Sequence, residues 1–184
     1  MLDPHIRRWF VLYTRARFEK TVDRQLLDEQ IESYLPSQTV IKRWSDRKKK
    51  IEQPLFPGYV FIHTTEKERL SAVAASGVVR CVMFNNKVAV VRDVEIENIK
   101  RLLGKGHTVE VHPSLPVGTR VRIVRGLLAG IEGILTDISG KRKFAVTLEA
   151  LNRSVLTEIS SGDVEELTVL AQTLSIPEAE SRNQ

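Results

Sequence analysis

The chain has a single cysteine, Cys81, among 184 residues, which excludes an internal disulfide framework and any multi-cysteine zinc site. Cys81 sits inside the apolar run Val78-Val79-Arg80-Cys81-Val82-Met83-Phe84, where a cysteine reads as a small buried hydrophobe. Long apolar runs are also missing, and none approaches the roughly 20 residues of a membrane-spanning helix. The opening residues, Met1 to Arg8, carry no apolar core of the secretory kind, so the expectation is a cytoplasmic protein with no membrane partner. The four histidines, His5, His63, His107 and His112, lack the spacing and acidic neighbours of a metal or nucleophile site. No cofactor is expected. Gly126-Leu127-Leu128-Ala129-Gly130-Ile131-Glu132-Gly133 is rich in glycine but lacks the Gly-Lys-Ser/Thr ending and the following helix of a phosphate loop. With no nucleophile beside its base and no metal cluster, an enzyme is the least favoured class.

What the chain does have is an ordinary globular balance, with 42% hydrophobic and 28% charged residues. Lys and Arg number 28 against 23 acids, a net charge of +5 that suits a polyanionic partner without identifying one. Trp9-Phe10-Val11-Leu12-Tyr13 is apolar on both alternating faces, as in a strand covered on both sides. Phe18, Val22 and Leu26 then follow helical spacing and predict a helix over 17–29. Thr39 to Trp44 reads as a strand, the charged turn Ser45 to Lys50 follows, and Tyr59 to Ile62 reads as a second central strand entered through Pro57-Gly58. A helix with Leu70, Val73 and Ala74 inward runs to Gly77, a left-handed stop. Val78–Phe84 and Val88–Val91 pair around Asn85-Asn86-Lys87. A third helix has Asp93 as its cap, acids in its first turn, Lys100 and Arg101 near its end, and Ile96, Ile99 and Leu103 as its buried stripe.

The pattern changes after Gly104. Residues 105–116 carry glycine and proline without a helical period and read as a linker, with His107 and His112 solvated. Short strands follow at Arg120–Val124, Ile134–Ile138, Phe144–Leu148 and Ser154–Ile159, which predict a small all-β barrel. The fold class expected is therefore α+β. An antiparallel sheet with flanking helices spans 7–104, the barrel spans 117–168, and a frayed tail spans 169–184.

Four features in this order resemble the NusG family: Trp9-Phe10-Val11-Leu12-Tyr13, Phe18-Glu19-Lys20, Leu55-Phe56-Pro57-Gly58-Tyr59-Val60-Phe61, and Val117 to Ile123 leading through Gly126, Gly130 and Gly133. The resemblance implies an N-terminal NGN domain that docks on the clamp of the largest RNA polymerase subunit. It also implies an SH3-like KOW barrel that recruits a partner, in a monomeric factor for transcription elongation or antitermination. The matching polymerase-binding positions are Tyr13, Phe56 and Phe84, and Pro57-Gly58 is expected to let Phe56 project from the domain. The segment Ile41 to Lys49 looks most like the specialised UpxY-type antiterminators of surface-polysaccharide operons, with housekeeping NusG as the runner-up. Leu151 stands where the family usually places an aromatic partner contact, which weighs against recruitment of a ribosomal protein or Rho. Arg43, Arg47, Lys48, Lys49 and Lys50 share one hairpin tip, and with Arg15 they are candidates for upstream or non-template DNA; charge alone fits a solvated hairpin equally well. A ribosome-associated RNA-binding KOW protein is the other class considered, and the Phe56-Pro57-Gly58-Tyr59 corner has no use there. Some RfaH-type relatives fold the second domain as helices, but the β-branched runs here favour a constitutive barrel.

Overall fold

The computed structural model describes residues 5–43, 48–104, 108–113 and 116–167. The expected tail, and Ser45, Asp46 and Arg47 of the charged turn, lie outside the described residues. Strand β1 (Arg8–Thr14) leads to helix α1 (Glu19–Asp28), and β2 (Glu32–Tyr34) follows. Strands β3 (Ser37–Arg43) and β4 (Lys48–Pro54) form a separate two-stranded ribbon, closed at its base where Leu55 N–H donates to Pro36 O at 2.7 Å. Then come β5 (Tyr59–Thr64), α2 (Glu66–Val73), β6 (Val78–Cys81), β7 (Met83–Phe84), β8 (Lys87–Val88), β9 (Val90–Val91) and α3 (Asp93–Gly104).

The first sheet is antiparallel, with β1 flanked on one edge by β5, and β5 in turn by β2. On the other edge β6 and β9 take successive stretches of β1. Between them β7 and β8 leave as a hairpin whose turn is Asn85-Asn86, both at positive φ (49° and 59°). That is the geometry the right-handed strand twist prefers for a two-residue loop. The period-two alternation of β1 is realised on both faces. Phe10 and Leu12 share a core with Val22 and Leu26 of α1 and Ala72 and Ala75 around α2. Trp9 and Val11 share another with Ile96, Ile99 and Leu102 of α3.

Two helix readings are corrected. In α2, Leu70 is 62% exposed and Ala74 is also outside, while Arg69 and Ala72 face inward. Thr65 caps this helix, and the Arg69 guanidinium is carried over the Phe10 ring (5.7 Å) while paired with Glu66. A paired, ring-stacked arginine thus occupies a position that hydrophobic periodicity reserves for an apolar residue. In α3, Asp93 is the first helical residue, and Glu95 reaches back to accept from Arg92 N–H at 2.9 Å. Leu102 is fully buried and Leu103 only partly, so the stripe is shifted by one residue.

The second unit is all β: β10 (Val109–His112), β11 (Thr119–Ile123), β12 (Glu132–Ile138), β13 (Lys141–Leu148), β14 (Arg153–Glu158) and β15 (Val164–Glu166), hydrogen-bonded in the order β10-β14-β13-β12-β11-β15. Strand β10 falls within the stretch read as linker and pairs with β14 from Val109↔Thr157 to His112↔Ser154, so His112 belongs to the sheet. Its Val-x-Val alternation is too short to stand out from the surrounding glycine and proline. Gly126 and Gly130 hold positive φ (75° and 87°), whereas Gly133 serves close approach: a Cβ there would lie 2.4 Å from Ala145 O. The two units share one core, because Val121, Ile123, Phe144, Val146 and Leu148 join the cluster that contains α3.

Candidate interaction surfaces

Two hydrogen bonds tie the Phe56-Pro57-Gly58-Tyr59 corner to α1 and β1. Gly58 N–H donates to the buried carboxylate of Glu19 at 2.7 Å, and Thr14 N–H donates to Gly58 O at 2.8 Å. Glu19 thereby ties the start of α1 to the corner, a role that sequence pattern alone does not signal. Gly58 takes φ +84°, and a Cβ there would lie 3.2 Å from the Tyr13 ring. This turn directs Phe56 inward, 3% exposed and edge-on to Phe61 at 5.9 Å between ring centroids. The expectation that Phe56 projects is overturned, because the turn places its ring in the α3-side core.

Of the three candidate aromatics, Tyr13 and Phe84 reach solvent, at 38% and 49% exposure, and Phe18 at the start of α1 is exposed as well. Tyr13 packs on Tyr59 (5.5 Å), carries the Arg80 guanidinium over its ring (5.8 Å) and sits opposite Arg80 in the β1–β6 register. Met83 and Val79 are exposed on the neighbouring strands. Tyr13, on the central strand β1, and Phe84, on the β7–β8 hairpin, are thus two exposed aromatic positions of the first unit.

Sequence reasoning missed a cluster on the α3 side. Lys100 lies over both Trp9 (5.3 Å) and Tyr34 (5.4 Å), His63 stacks on Trp9 at 4.9 Å, and His63 Nδ1 is 2.8 Å from Glu32. Burial, with the Glu97 charge nearby, pushes the Tyr34 hydroxyl up to about 12. These residues come from four elements, so no local spacing announces them. Cys81 is buried and its thiol is pushed up by burial, which fits a packing role. Among the described residues, no group of three or more His, Cys, Asp or Glu is placed to hold a metal ion. No described helix is long and apolar enough to cross a membrane.

Of the candidate basic residues that are described, all but Arg15 share one end of the β3–β4 ribbon. Lys48, Lys49 and Lys50 are exposed on β4, Arg43 ends β3 opposite Lys48, and Arg15 is exposed beyond β1. Leu151 lies half-buried in the turn 149–151 of the β-domain, next to the left-handed Asn152. That turn meets the first unit. Glu149 N–H points at Glu95 Oε1 (3.4 Å), Arg92 and Glu149 are 3.6 Å apart, and Arg101 donates to Ala129 O at 2.7 Å. An open groove of about 360 Å³ separates Phe84, Val88 and Val90 from Glu149 and Ala150.

The chain is similar in sequence to known proteins. The sequence model of the family described as transcription termination factor nusG matches residues 7–100. The chain is 29% identical over 175 residues to the transcription termination/antitermination protein NusG of Lactococcus lactis, covering 86% of this chain and 92% of that one. It is 25% identical over 180 residues to the Haemophilus influenzae NusG, covering 88% and 95%. A solved structure of Thermotoga maritima NusG, concerned with domain interaction in that protein, aligns over 90% of this chain and all of its own with a TM-score of 0.48 at 21% identity. With the matched span coinciding with the first sheet, its three helices and the exposed Tyr13 and Phe84, the chain belongs to the NusG family of transcription termination and antitermination factors.

Proposed function

We propose that this protein is a cytoplasmic elongation and antitermination factor that binds the clamp of RNA polymerase through its first unit. Tyr13 and Phe84 make the contact, and Phe56 is a core residue of the same unit. The observation that carries this reading is the exposure of those two aromatics within the span that matches the family. The factor acts by binding energy that favours the active conformation of the polymerase and performs no chemistry itself. The second unit is read as a KOW domain whose turn at Leu151 recruits a partner. Leu151 in the place of an aromatic, together with the segment Ile41 to Lys49, supports a specialised UpxY-type paralogue serving operons such as those for surface polysaccharide.

The test is transcription by purified RNA polymerase through a pause site and a terminator, with wild-type protein, Tyr13→Ala and Phe84→Ala. Wild-type protein should change pause lifetime or read-through, and each variant should lose at least part of the effect at unchanged thermal stability. Retention of full activity by the Tyr13→Ala, Phe84→Ala double variant would overturn the assignment. Phe56→Ala is a poor probe of docking because it empties a core position, at a cost of about 3–5 kcal/mol.

A further inference from the structure

Strand β10 occupies part of the stretch that joins the two units. Helix α3 ends at Gly104 and β11 begins at Thr119, so fourteen residues, 105–118, connect them when none is paired. Pairing of Val109–His112 with β14 leaves only four, 105–108, between α3 and the β-domain. At full extension of roughly 3.5 Å per residue, four residues span about 14 Å and fourteen about 50 Å. The attachment itself is slight. β10 lies at the edge of its sheet and is bonded to β14 alone, over four residue pairs, whereas β13 is held on both sides, by β12 and β14. Its apolar anchors are Val109, buried in the shared core, and Val111, which packs against that core.

On the other face of β10, Glu110 pairs with Lys143, a lysine only 9% exposed, and beside it Thr108 O accepts from the Thr157 hydroxyl at 3.2 Å. A lysine this buried needs a counter-ion, and Lys143 has a second one in register. Glu158 stands directly opposite it on β14, exposed and 3.7 Å from Lys141. Departure of β10 uncovers Lys143 and leaves Glu158 at its side, while β14, β13, β12, β11 and β15 remain bonded to one another. We propose that β10 is a releasable strap. Paired, it shortens the tether to four residues and holds the β-domain at the side of α3. Released, it lengthens the tether more than threefold and lets the β-domain reach a partner away from the first unit. A short tether keeps the two sides of the seam, Glu95 and Arg101 on α3 against Glu149 and Ala129, at high local concentration. The seam therefore re-forms readily while β10 is paired and less so once it has left.

Native-state hydrogen exchange of the full chain tests the release. The amides of 109–112 that bond to β14 should exchange at least about tenfold faster than the paired amides of β13, through local opening. One common rate for both, set by global unfolding, would overturn the strap. Reach is read as the distance between spin labels on Asp28→Cys at the end of α1 and Arg142→Cys in β13, both exposed positions, with Cys81 buried. In the seam-opened Glu95→Ala, Arg101→Ala background, adding Glu110→Lys sets an ammonium group against Lys143 and should detach β10. The distances should then extend by up to about 35 Å, the span of the ten residues set free. Val111→Ser removes an anchor without the added charge and should act in the same direction. Unchanged distances in both variants would overturn the strap. Loss of the β12–β13 chemical shifts on detachment would do so as well, since β10 would then be integral to the barrel. None of these measurements involves polymerase, so their failure leaves the docking reading of Tyr13 and Phe84 standing.

Discussion

Glu68 closes the N-terminus of α2 by accepting from Thr65 N–H at 2.9 Å and from the Thr64 hydroxyl at 2.8 Å, while Thr65 Oγ1 accepts from Glu68 N–H. The Thr65 backbone bond first, and then the Thr64 hydroxyl, hold its carboxyl at about 2 against an ordinary 4.5. A carboxylate whose folded pKa is depressed adds stability that is complete above its unfolded value and is lost as pH falls through the folded one. Urea denaturation of wild type and Glu68→Gln should therefore differ most near neutral pH, with the gap closing between pH 4.5 and 2. About 0.5–1 kcal/mol is expected, the low end for a cap because the group is half-exposed. A gap independent of pH would show that the bonds act without the charge. The same element shows where single residues escape a sequence reading. A Thr-x-x-Glu cap is visible in the letters, but the inward turn of Arg69 is not, because its partners Phe10 and Glu66 are supplied by tertiary packing and side-chain pairing. Phe56 escaped for a related reason: the corner was legible, and the direction of its ring depends on the Gly58 bonds to Glu19 and Thr14.

At the scale of elements the pattern was largely legible where periodicity was strong. β1, β5, α3 and the strands from β11 to β14 lie within a few residues of their expected positions, because alternation and capping are local signals. Connections were less so. Gly77 reads as the stop of α2 and does take φ +93°, but α2 ends earlier, at Val73, and the glycine's neighbour is not readable: a Cβ there would lie 2.5 Å from Cδ1 of Phe18, at the start of α1. Gly140, in the turn between β12 and β13, has a similar φ of +73° with nothing within 4 Å. The pair separates backbone preference from close approach. Gly140→Ala should cost about 1 kcal/mol for the left-handed conformation alone. Gly77→Ala should cost more, about 2–4 kcal/mol, since Phe18 must also move. Chemical denaturation of the two variants decides it, and equal losses would mean that the Phe18 contact yields without strain.

At the scale of the whole molecule, α3 lies between the two units: its Ile96, Ile99 and Leu102 belong to the cluster that runs from Trp9 and Val11 to Phe144 and Val146. Composition reveals the change from mixed to all-β after Gly104, but it holds no signal for this shared core, which a polar seam rims. Glu95 is 4% exposed and binds Arg92 on its own side while facing Glu149 N–H on the other, and Arg101 reaches Ala129 O. Removing both side chains should loosen the seam by about 1–3 kcal/mol, the usual span for a few hydrogen bonds to charged groups. Backbone ¹⁵N relaxation of wild type should then report one rotational correlation time for both units. In Glu95→Ala, Arg101→Ala the β-domain should tumble faster than the first unit, with its strands intact by chemical shift. The turn carrying Leu151 would be freed in the same variant, so amide exchange at 149–152 should accelerate alongside the tumbling. Unchanged tumbling would mean that the apolar contact of α3 with β13 holds the units together without the charged seam.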